Sequence, residues 1–465
     1  MEFAAVPVRR LWLLYALAAA TFLTTLGLPY IGEEGVYTIT SLEMSLNRDF
    51  LVSTLYGGTY GRPPLYNWLI IPVAYIFGWD HVLAAARLVT AVATVLTGLV
   101  LSWMTTRLTG DRKLAALAAL IFLSGDVLFY RGWLAYSDPL FSLFMFAGIA
   151  CLWVGAHENR PGLIWLAVAA TTCAFLTKVQ TAYLFHALSL LVLCARHEYR
   201  ARLLRPSPIA AHVAGIVAFL AWHSVATGGA NLDDTTHHLL QKTSTVDFRD
   251  YVRQLVLFPL ETFSRFLPAS ALAVWFWYQQ RRRQPVSDAS KADAFPLAIL
   301  IWLIALNWLP YWLGPRSHMR YILPLYPLFA LLLAWLIARS GELRIRQTVY
   351  WLAVVIALKY VFGLWAFPAH QQKFRGDQMA AAARIEQMSQ GFALYSNDDS
   401  ATGLAVTARI DERRYPQAPL KRPPKTWTDG FVLNYSPDTA LGQVAEVVAL
   451  RNDKIYLLCR GAACR

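Results

Sequence analysis

Long apolar stretches alternate with short polar connections along most of this chain. Crossing the hydrocarbon layer of a membrane takes about 20 apolar residues, with a range of roughly 17 to 25. By this measure the pattern predicts eleven transmembrane helices, near residues 11–28, 82–105, 114–130, 139–156, 162–177, 179–195, 208–226, 255–279, 295–313, 321–338 and 348–366. The fold class it indicates is mainly α, in a polytopic membrane protein that spans the bilayer within residues 1–370.

One further apolar run, residues 65–79, is short and follows two prolines. Its aromatic residues Tyr66, Trp68, Tyr75 and Trp79 are of the type that gathers where membrane meets water. We therefore expect this run to form an interfacial helix within a first outer loop over residues 29–80.

Composition agrees with a membrane setting. Of the 465 residues, 57% are hydrophobic and only 15% are charged, and the mean hydropathy is +0.40. Such a chain has too little polar surface for a soluble protein. The net charge of +13 comes from Lys and Arg clusters between apolar stretches, a distribution that the positive-inside rule explains, so nucleic-acid binding is not expected.

The basic clusters fall on alternate connections and therefore share one side of the membrane, the cytoplasmic side. They are Arg9-Arg10, Arg107 with Arg112-Lys113, Arg160, Arg196 to Arg205, Arg281 to Arg283 with Lys291, and Arg339 to Arg346. We expect a cytoplasmic N-terminus and a first outer loop on the opposite side of the membrane. Residues 11–28 are interpreted as a retained signal anchor, because no small-residue cleavage site precedes the loop.

Residues 371–465 have a different, mixed pattern that predicts a small α/β domain, on the outer side if the preceding spans number eleven. Met379 to Met388 is typical of a helix, Gly391 to Tyr395 and Lys454 to Cys459 of strands, and Pro416 to Pro424 of a connector. Cys459 and Cys464 share this segment and could pair in an oxidising compartment. The segment carries no nucleotide-binding or metal-binding motif, so we expect the chemistry to lie elsewhere.

Two adjacent carboxylates, Glu33 and Glu34, open the first outer loop. Successive helical residues are turned about 100° apart, so the two side chains cannot enter one cleft together if this segment is helical. One is a candidate base and the other a candidate support. The alternative is a solvated loop with an acidic helix start.

Further polar residues stand at the outer ends of predicted spans, where they are costly and are candidates for function. Asp138 precedes a proline and could simply cap a helix, and Lys178 could simply extend to the headgroups. Arg62, Lys178, Arg316 and Arg320 all lie on the side where cations are disfavoured. Together they indicate an anionic ligand, such as the phosphate of a membrane lipid.

Five motifs occur in a recognisable order. They are Glu33-Glu34-x-x-Tyr37 with Glu43-Met44, Arg62-Pro63-Pro64-Leu65-Tyr66-x-Trp68, Ser137-Asp138-Pro139-Leu140, Phe175-Leu176-Thr177-Lys178, and Arg320-Tyr321-x-Leu323-Pro324-Leu325-Tyr326-Pro327. This order resembles the bacterial membrane glycosyltransferases related to the aminoarabinose transferase of lipid A modification and to the protein O-mannosyltransferases. The resemblance covers roughly residues 30–330.

The resemblance implies the GT-C architecture, a polyprenyl-phosphate-linked sugar donor and an inverting transfer. It also implies a location in the bacterial inner membrane, with the first outer loop and the domain 371–465 in the periplasm. Glu33-Glu34 stands where the family usually has Asp followed by Glu, and Arg62 where it usually has Lys. The residue before Arg62 is Gly61, whereas aminoarabinose transferases tend to have a metal-associated acidic residue there. No metal site is carried over.

The expected roles follow from this chemistry. Glu33, with Glu34, supplies the catalytic carboxylate, and the resemblance implies that Asp138 lines the acceptor side or orients the sugar. The expected ligands of the lipid phosphate are Arg62, Lys178, Arg316 and Arg320, and the expected pocket residues are Tyr37, Tyr60, Tyr321 and His318.

Some alternatives stay open from the sequence. Asp233-Asp234-Thr235-Thr236-His237-His238 contains metal-ligand residue types, but we prefer a capping loop and no cofactor. The expected acceptor is lipid A or another envelope glycan, with a Ser or Thr of an exported protein as the alternative. A polyprenyl-lipid transporter, which should carry charges near the midplane, and an envelope scaffold are the rival classes.

Overall fold

The computed structural model of the chain describes residues 6–125, 131–178, 181–226, 248–282, 296–315 and 317–465. It is mainly helical with a small sheet, which confirms the coarse fold class. The α-helices are α1 (Val8–Ala20), α2 (Glu34–Asn47), α3 (Leu65–Phe77), α4 (Val82–Thr109), α5 (Arg112–Ser124), α6 (Ser137–Glu158), α7 (Pro161–Thr177), α8 (Thr181–Cys194), α9 (His197–Leu203), α10 (Pro206–Ala226), α11 (Phe248–Ser264), α12 (Ala269–Arg282), α13 (Leu297–Leu313), α14 (Tyr326–Arg339), α15 (Glu342–Val361), α16 (Phe367–Phe374), α17 (Gln378–Met388) and α18 (Ala401–Arg414).

Strands and tighter turns complete the secondary structure. The strands are β1 (Thr54–Leu55), β2 (Gly58–Thr59), β3 (Leu394–Ser396), β4 (Gly430–Asn434), β5 (Gln443–Leu450) and β6 (Asp453–Arg460). The 3₁₀ turns are Thr21–Thr25, Trp79–His81, Met319–Leu325 and Gly461–Cys464, and a π turn covers Phe362–Ala366.

Within the described residues, five helical segments are long and apolar enough to cross a membrane. They are Trp79–Thr109, Ser137–Glu158, Pro206–Val225, Met319–Arg339 and Glu342–Met388. Counting one bent helix pair as a span makes six, and four shorter apolar helices accompany them. The chain is a multi-pass membrane protein, while the number eleven stays a prediction.

The predicted span 255–279 is a bent pair rather than one straight helix. Phe248–Ser264 and Ala269–Gln279 meet at 89°. Pro268 lies in the break. Proline has no N–H to donate and disfavours a helical conformation for the residue before it, so the helix stops ahead of Pro268 and restarts beyond it.

Helix α3 corresponds to the run predicted to lie at the interface. It has 13 residues, which at 1.5 Å per residue gives a length of about 20 Å. The hydrocarbon layer is about 30 Å thick. Helix α3 is therefore too short to cross it, as the interfacial interpretation requires.

The chain divides into two compact units. The helical unit comprises Met1–Thr21, Val92–Gly132 and Asp138–Lys359, and the mixed unit comprises Phe22–Ala91, Trp133–Ser137 and Tyr360–Arg465. The mixed unit thus unites the first outer loop with the C-terminal segment. The border at residue 370 and a separate domain 371–465 stay predictions.

Helix α5 forms the centre of the helical unit. Every residue from Leu114 to Ser124 is buried, and α5 packs against α1 and α14. Its alanines (Ala115, Ala116, Ala118 and Ala119) leave room for close helix contact. The amide groups at its start are capped by Asp111, which accepts from the N–H groups of Lys113 and Leu114.

The sheet of the mixed unit has the order β3-β4-β6-β5, with β3 and β4 parallel and the other neighbours antiparallel. Every residue of β4 is buried. Helices α17 and α18 cover one face, where Ile385, Ile410, Leu433 and Leu457 share a core. Cys459 at the end of β6 forms a disulfide with Cys464, which settles the pairing that the sequence left open.

Candidate active site

Glu33 and Glu34 point to different environments at the start of α2. Glu33 is the residue before the helix and its side chain is exposed, while Glu34 is the first helical residue and is fully buried. Among the described residues, no cation forms an ion pair with the Glu33 carboxylate. Of the two carboxylates, only that of Glu33 is therefore accessible to a ligand from solvent.

Glu34 forms a buried ion pair with Arg87 of α4, whose side chain is also fully buried. Its Oε1 accepts from Arg87 Nε at 2.9 Å and from the Ala135 N–H at 2.7 Å. Its Oε2 accepts from Arg87 Nη2 at 2.5 Å and from the Ile31 N–H at 2.8 Å. Both oxygens are satisfied, as a buried charge requires.

Arg87 also fixes the backbone that leads to Glu33. Its guanidinium donates to the carbonyls of Thr25 (3.1 Å), Leu28 (2.6 Å) and Pro29 (2.8 Å). One arginine thus holds both the turn before the acidic pair and one member of that pair. This arrangement makes Glu34 a support for the loop.

The position of Glu33 depends on the residue before it. Gly32 has φ +63°, and a Cβ there would lie 2.3 Å from Tyr136 Oη. The Glu33 N–H donates to that hydroxyl at 2.9 Å. A glycine is needed because it permits both the left-handed backbone and the close approach of Tyr136.

Gly35 allows α18 to lie against the start of α2. A Cβ at Gly35 would be 2.5 Å from the Leu404 carbonyl oxygen. We expect Gly35→Ala to lower the free energy of unfolding by about 1–3 kcal/mol, the usual cost of overpacking. The better helix propensity of alanine, about 1 kcal/mol, does not remove a clash with backbone.

Thermal unfolding of the purified variants measures this effect. Gly27→Ala is the matched control, because a Cβ at Gly27 meets nothing within 4 Å. Equal melting temperatures for the two variants would contradict the close contact between α2 and α18.

Arg62 lies between aromatic rings. It donates to Tyr37 Oη at 2.6 Å, and its guanidinium carbon is 5.7 Å from the Tyr37 ring centre and 5.2 Å from that of Tyr60. Tyr37 Oη is in turn 3.1 Å from Ser137 Oγ. The rings orient the guanidinium by cation–π attraction and leave its charge in place.

A cavity of about 330 Å³ in the mixed unit unites several of these groups. Its lining includes Glu33, Tyr60 and Arg62 together with Asp399 and Arg422. Burial raises the pKa of Tyr60 to about 12, with Arg62 acting in the opposite direction. The Tyr60 hydroxyl is therefore protonated at neutral pH and can donate a hydrogen bond.

In the helical unit, Lys178 contacts Asp138. The Lys178 ammonium donates to the Asp138 carboxylate, and their side chains are only 17% and 7% exposed. Lys178 Nζ also lies 5.1 Å from the ring centre of Tyr321. The sequence singled out each of these residues but did not predict that Asp138 and Lys178 pair.

A second cavity, of about 270 Å³, lies in the helical unit beside Arg320 and His318. Arg131 and Arg265 also line it, with Glu261 as the acidic member. Burial, then the charges of Arg320 and Arg131, hold the pKa of His318 below its ordinary value, against the opposing effect of Glu261. A cavity with this excess of positive charge suits an anion.

Two predicted features lie outside the described residues, namely Arg316 and the loop Asp233 to His238. Within the described residues, no three His, Cys, Asp or Glu side chains converge as metal ligands would. The expectation that the chain needs no metal or cofactor stays a prediction.

Comparisons with known proteins find a matching family model and similar sequences. Residues 61–224 match the family model described as dolichyl-phosphate-mannose-protein mannosyltransferase. The undecaprenyl phosphate-alpha-4-amino-4-deoxy-L-arabinose arabinosyl transferase of Edwardsiella ictaluri is 30% identical over 152 residues, covering 31% of this chain and 27% of that protein. Its counterpart in Yersinia enterocolitica is 28% identical over 195 residues, covering 41% and 35%. These matches span only about a third or less of the relatives' own length.

A solved structure matches the whole chain. ArnT from Cupriavidus metallidurans, crystallised with undecaprenyl phosphate, covers 99% of both chains with a TM-score of 0.67 at 17% identity. The chain has the GT-C fold. The predicted resemblance to GT-C glycosyltransferases of the aminoarabinose transferase and O-mannosyltransferase type is confirmed.

Three residues of the candidate site were missed by the sequence analysis. The sequence does mark Arg87 as a candidate, since a lone arginine inside the predicted span 82–105 is costly and requires a partner. It does not mark Asp399 or Arg422, because the C-terminal segment carries no recognisable motif. Their part in the cavity depends on tertiary packing alone.

Proposed function

We propose that the chain is an inverting glycosyltransferase that moves a sugar from a polyprenyl-phosphate donor to a cell-envelope acceptor on the periplasmic side. The GT-C fold and the arabinosyl transferase relatives support this assignment. The observation that carries it is one cavity lined by both the Glu33 carboxylate and the Arg62 guanidinium. A base and a phosphate-binding cation are the two groups that the reaction needs.

The proposed reaction is a single displacement. An acceptor oxygen attacks the anomeric carbon, its bond to that carbon forms, and the bond from the carbon to the phosphate oxygen breaks. The acceptor proton passes to Glu33, and the negative charge of the leaving polyprenyl phosphate develops beside Arg62. One displacement inverts the anomeric centre.

The remaining predicted residues keep their roles as proposals. Arg87 and Glu34 hold the Glu33 loop, and Tyr37 and Tyr60 orient Arg62. In the helical unit, Asp138 is proposed for the acceptor or sugar, Lys178, Arg316 and Arg320 for lipid phosphate, and Tyr321 and His318 for the pocket. The charge of Lys178 is already paired with the Asp138 carboxylate, which weakens Lys178 as a candidate for phosphate.

Lipid A or another envelope glycan is the acceptor we propose first, because the curated relatives are aminoarabinose transferases. A Ser or Thr of an exported protein is the second candidate, and the mannosyltransferase family match over residues 61–224 favours it. The disulfide between Cys459 and Cys464 supports a periplasmic C-terminal segment, since such bonds persist in oxidising compartments.

Mass spectrometry of envelope lipids and exported proteins, from cells with and without this chain, tests the function directly. We expect a sugar mass on a lipid or glycan that disappears with the chain. Added mass on a protein with unchanged glycolipids would select the second acceptor. No sugar difference in either fraction would reject the transferase.

Arg62 provides a more specific test. We expect Arg62→Ala to lower kcat about 100-fold or more, because a preorganised group that stabilises developing charge is lost. Arg62→Lys retains the charge and should keep most of the activity. Transfer assays with purified protein measure the activity of both variants. Lys425 is an exposed cation outside the cavity lining, so the control Lys425→Ala should leave the transfer rate unchanged. Equal activity of the alanine and lysine variants would reject a charge role for Arg62.

A further inference from the structure

The cavity that contains Glu33 and Arg62 has a second charged pair on its wall, which the mechanism above does not use. Asp399 lies between β3 and α18, and Arg422 lies in the connector that leads toward β4. Arg422 Nη2 donates to both carboxylate oxygens of Asp399, at 2.9 and 2.7 Å. Both residues line the cavity together with Glu33, Tyr60 and Arg62.

The pair is held in place from several directions. The Arg422 N–H donates to the Tyr56 carbonyl at 2.9 Å, and the Ser396 N–H donates to the Lys421 carbonyl at 3.0 Å. Arg422 Nη1 donates to Asn397 Oδ1 at 3.1 Å, and the guanidinium lies over the Tyr56 ring. The planar guanidinium is therefore oriented before any ligand arrives.

Stability does not account for this arrangement. The side chains of Arg422 and Asp399 are 44% and 55% exposed, and ion pairs so accessible to water contribute little to folding. A guanidinium has five N–H donors, and each carboxylate oxygen accepts about two hydrogen bonds. Donors and acceptors thus remain for a ligand in the cavity.

The chemistry of the pair favours a sugar over a phosphate. Asp399 neutralises Arg422, so the pair offers directed hydrogen bonds without net attraction for an anion. A sugar ring presents neighbouring hydroxyl or amino groups, which match a donor and an acceptor placed side by side.

We propose that Asp399 and Arg422 form the sugar-binding wall of the donor site, with Arg422 donating to and Asp399 accepting from adjacent groups of the ring. This inference rests on the proposed function. It assigns a specificity role to the C-terminal segment: Arg62 binds the phosphate that all donors share, and the pair distinguishes the sugars.

Equilibrium binding to the purified full chain tests the proposal without requiring turnover. The probes are undecaprenyl phosphate alone and the same lipid carrying 4-amino-4-deoxy-L-arabinose or mannose. We expect at least one glycosylated lipid to bind the wild type more tightly than the bare lipid. The double substitution Asp399→Asn with Arg422→Gln should lower the affinity for the glycosylated lipid about 10- to 100-fold, the effect of losing charge-assisted hydrogen bonds. The affinity for the bare lipid should stay unchanged.

Two further variants separate recognition from structure. Exchanging the residues, Asp399→Arg with Arg422→Asp, keeps an ion pair but reverses donor and acceptor, so it should restore stability and not sugar binding. Arg413→Gln disrupts a comparable exposed pair with Glu386 outside the cavity lining and should leave all binding unchanged. Recovery of sugar binding in the exchanged variant would overturn the proposal.

The outcomes also distinguish this inference from the proposed function. Equal binding of bare and glycosylated lipids by the wild type overturns the sugar wall, even if sugar transfer is observed. Preferential binding that the double variant abolishes supports the wall, even if no acceptor receives the sugar. In that last case the transferase assignment fails while the sugar site stands.

Discussion

Replacing Glu33 by Gln should abolish sugar transfer while the protein remains folded. The substitution keeps the size of the side chain and removes its basicity, and general-base catalysis typically contributes about 100- to 10,000-fold. Because Glu33 is exposed and no described cation pairs with it, the melting temperature should not change. Initial rates of transfer from a polyprenyl-phosphate sugar, measured with purified protein, test the expectation.

Two controls accompany this experiment. Glu33→Asp retains a carboxylate of the type usual in the resembling family, so part of the activity should survive. Asp49→Asn removes an exposed carboxylate from the same outer loop and should leave transfer intact. Full activity of Glu33→Gln would show that another group accepts the proton.

Of the substitutions considered, those that break the Glu34–Arg87 pair should lower the free energy of unfolding most. Either Glu34→Gln or Arg87→Met leaves one fully buried charge without its partner, which costs about 3–5 kcal/mol. The double variant removes both charges and should recover a large part of that loss. Unfolding of the purified variants, followed by heat or denaturant, gives the coupling between the two sites.

An exposed pair in the same unit provides the comparison. Arg384 lies 3.4 Å from Glu446, with side chains 55% and 27% exposed, and Arg384→Gln should change stability by about 1 kcal/mol or less. A double variant of the buried pair that is as unstable as the sum of its single variants would contradict the coupling.

The sequence predicted the features that depend on local chemistry. Apolar run lengths identified a multi-pass membrane protein, and the order of five motifs identified the GT-C resemblance. The sequence analysis separated Glu33 from Glu34 by the roughly 100° turn between successive helical residues, whereas in the structure Glu33 precedes the helix that begins at Glu34. The structure places Glu33 on the surface and Glu34 in the interior.

Features that depend on long-range packing could not be predicted in this way. The sequence analysis did not predict helix α18 or its contact with Gly35. No pattern in residues 401–414 indicates that they pack against α2. The bend between α11 and α12 escaped a count based on hydropathy, which ignores the missing N–H of Pro268. Asp399 and Arg422 resembled ordinary surface residues until the fold brought them to the wall of a cavity.

The contact between Tyr30 and Glu412 has a consequence for how the protein is made. These residues are 382 positions apart, yet the Tyr30 hydroxyl donates to the Glu412 carboxylate inside the mixed unit, and Tyr30 also exchanges hydrogen bonds with Gln378. The outer loop is therefore synthesised long before its partners. During biosynthesis the acidic loop must wait until Glu412 has been added, and a chain released before that residue would insert its helices without completing the site.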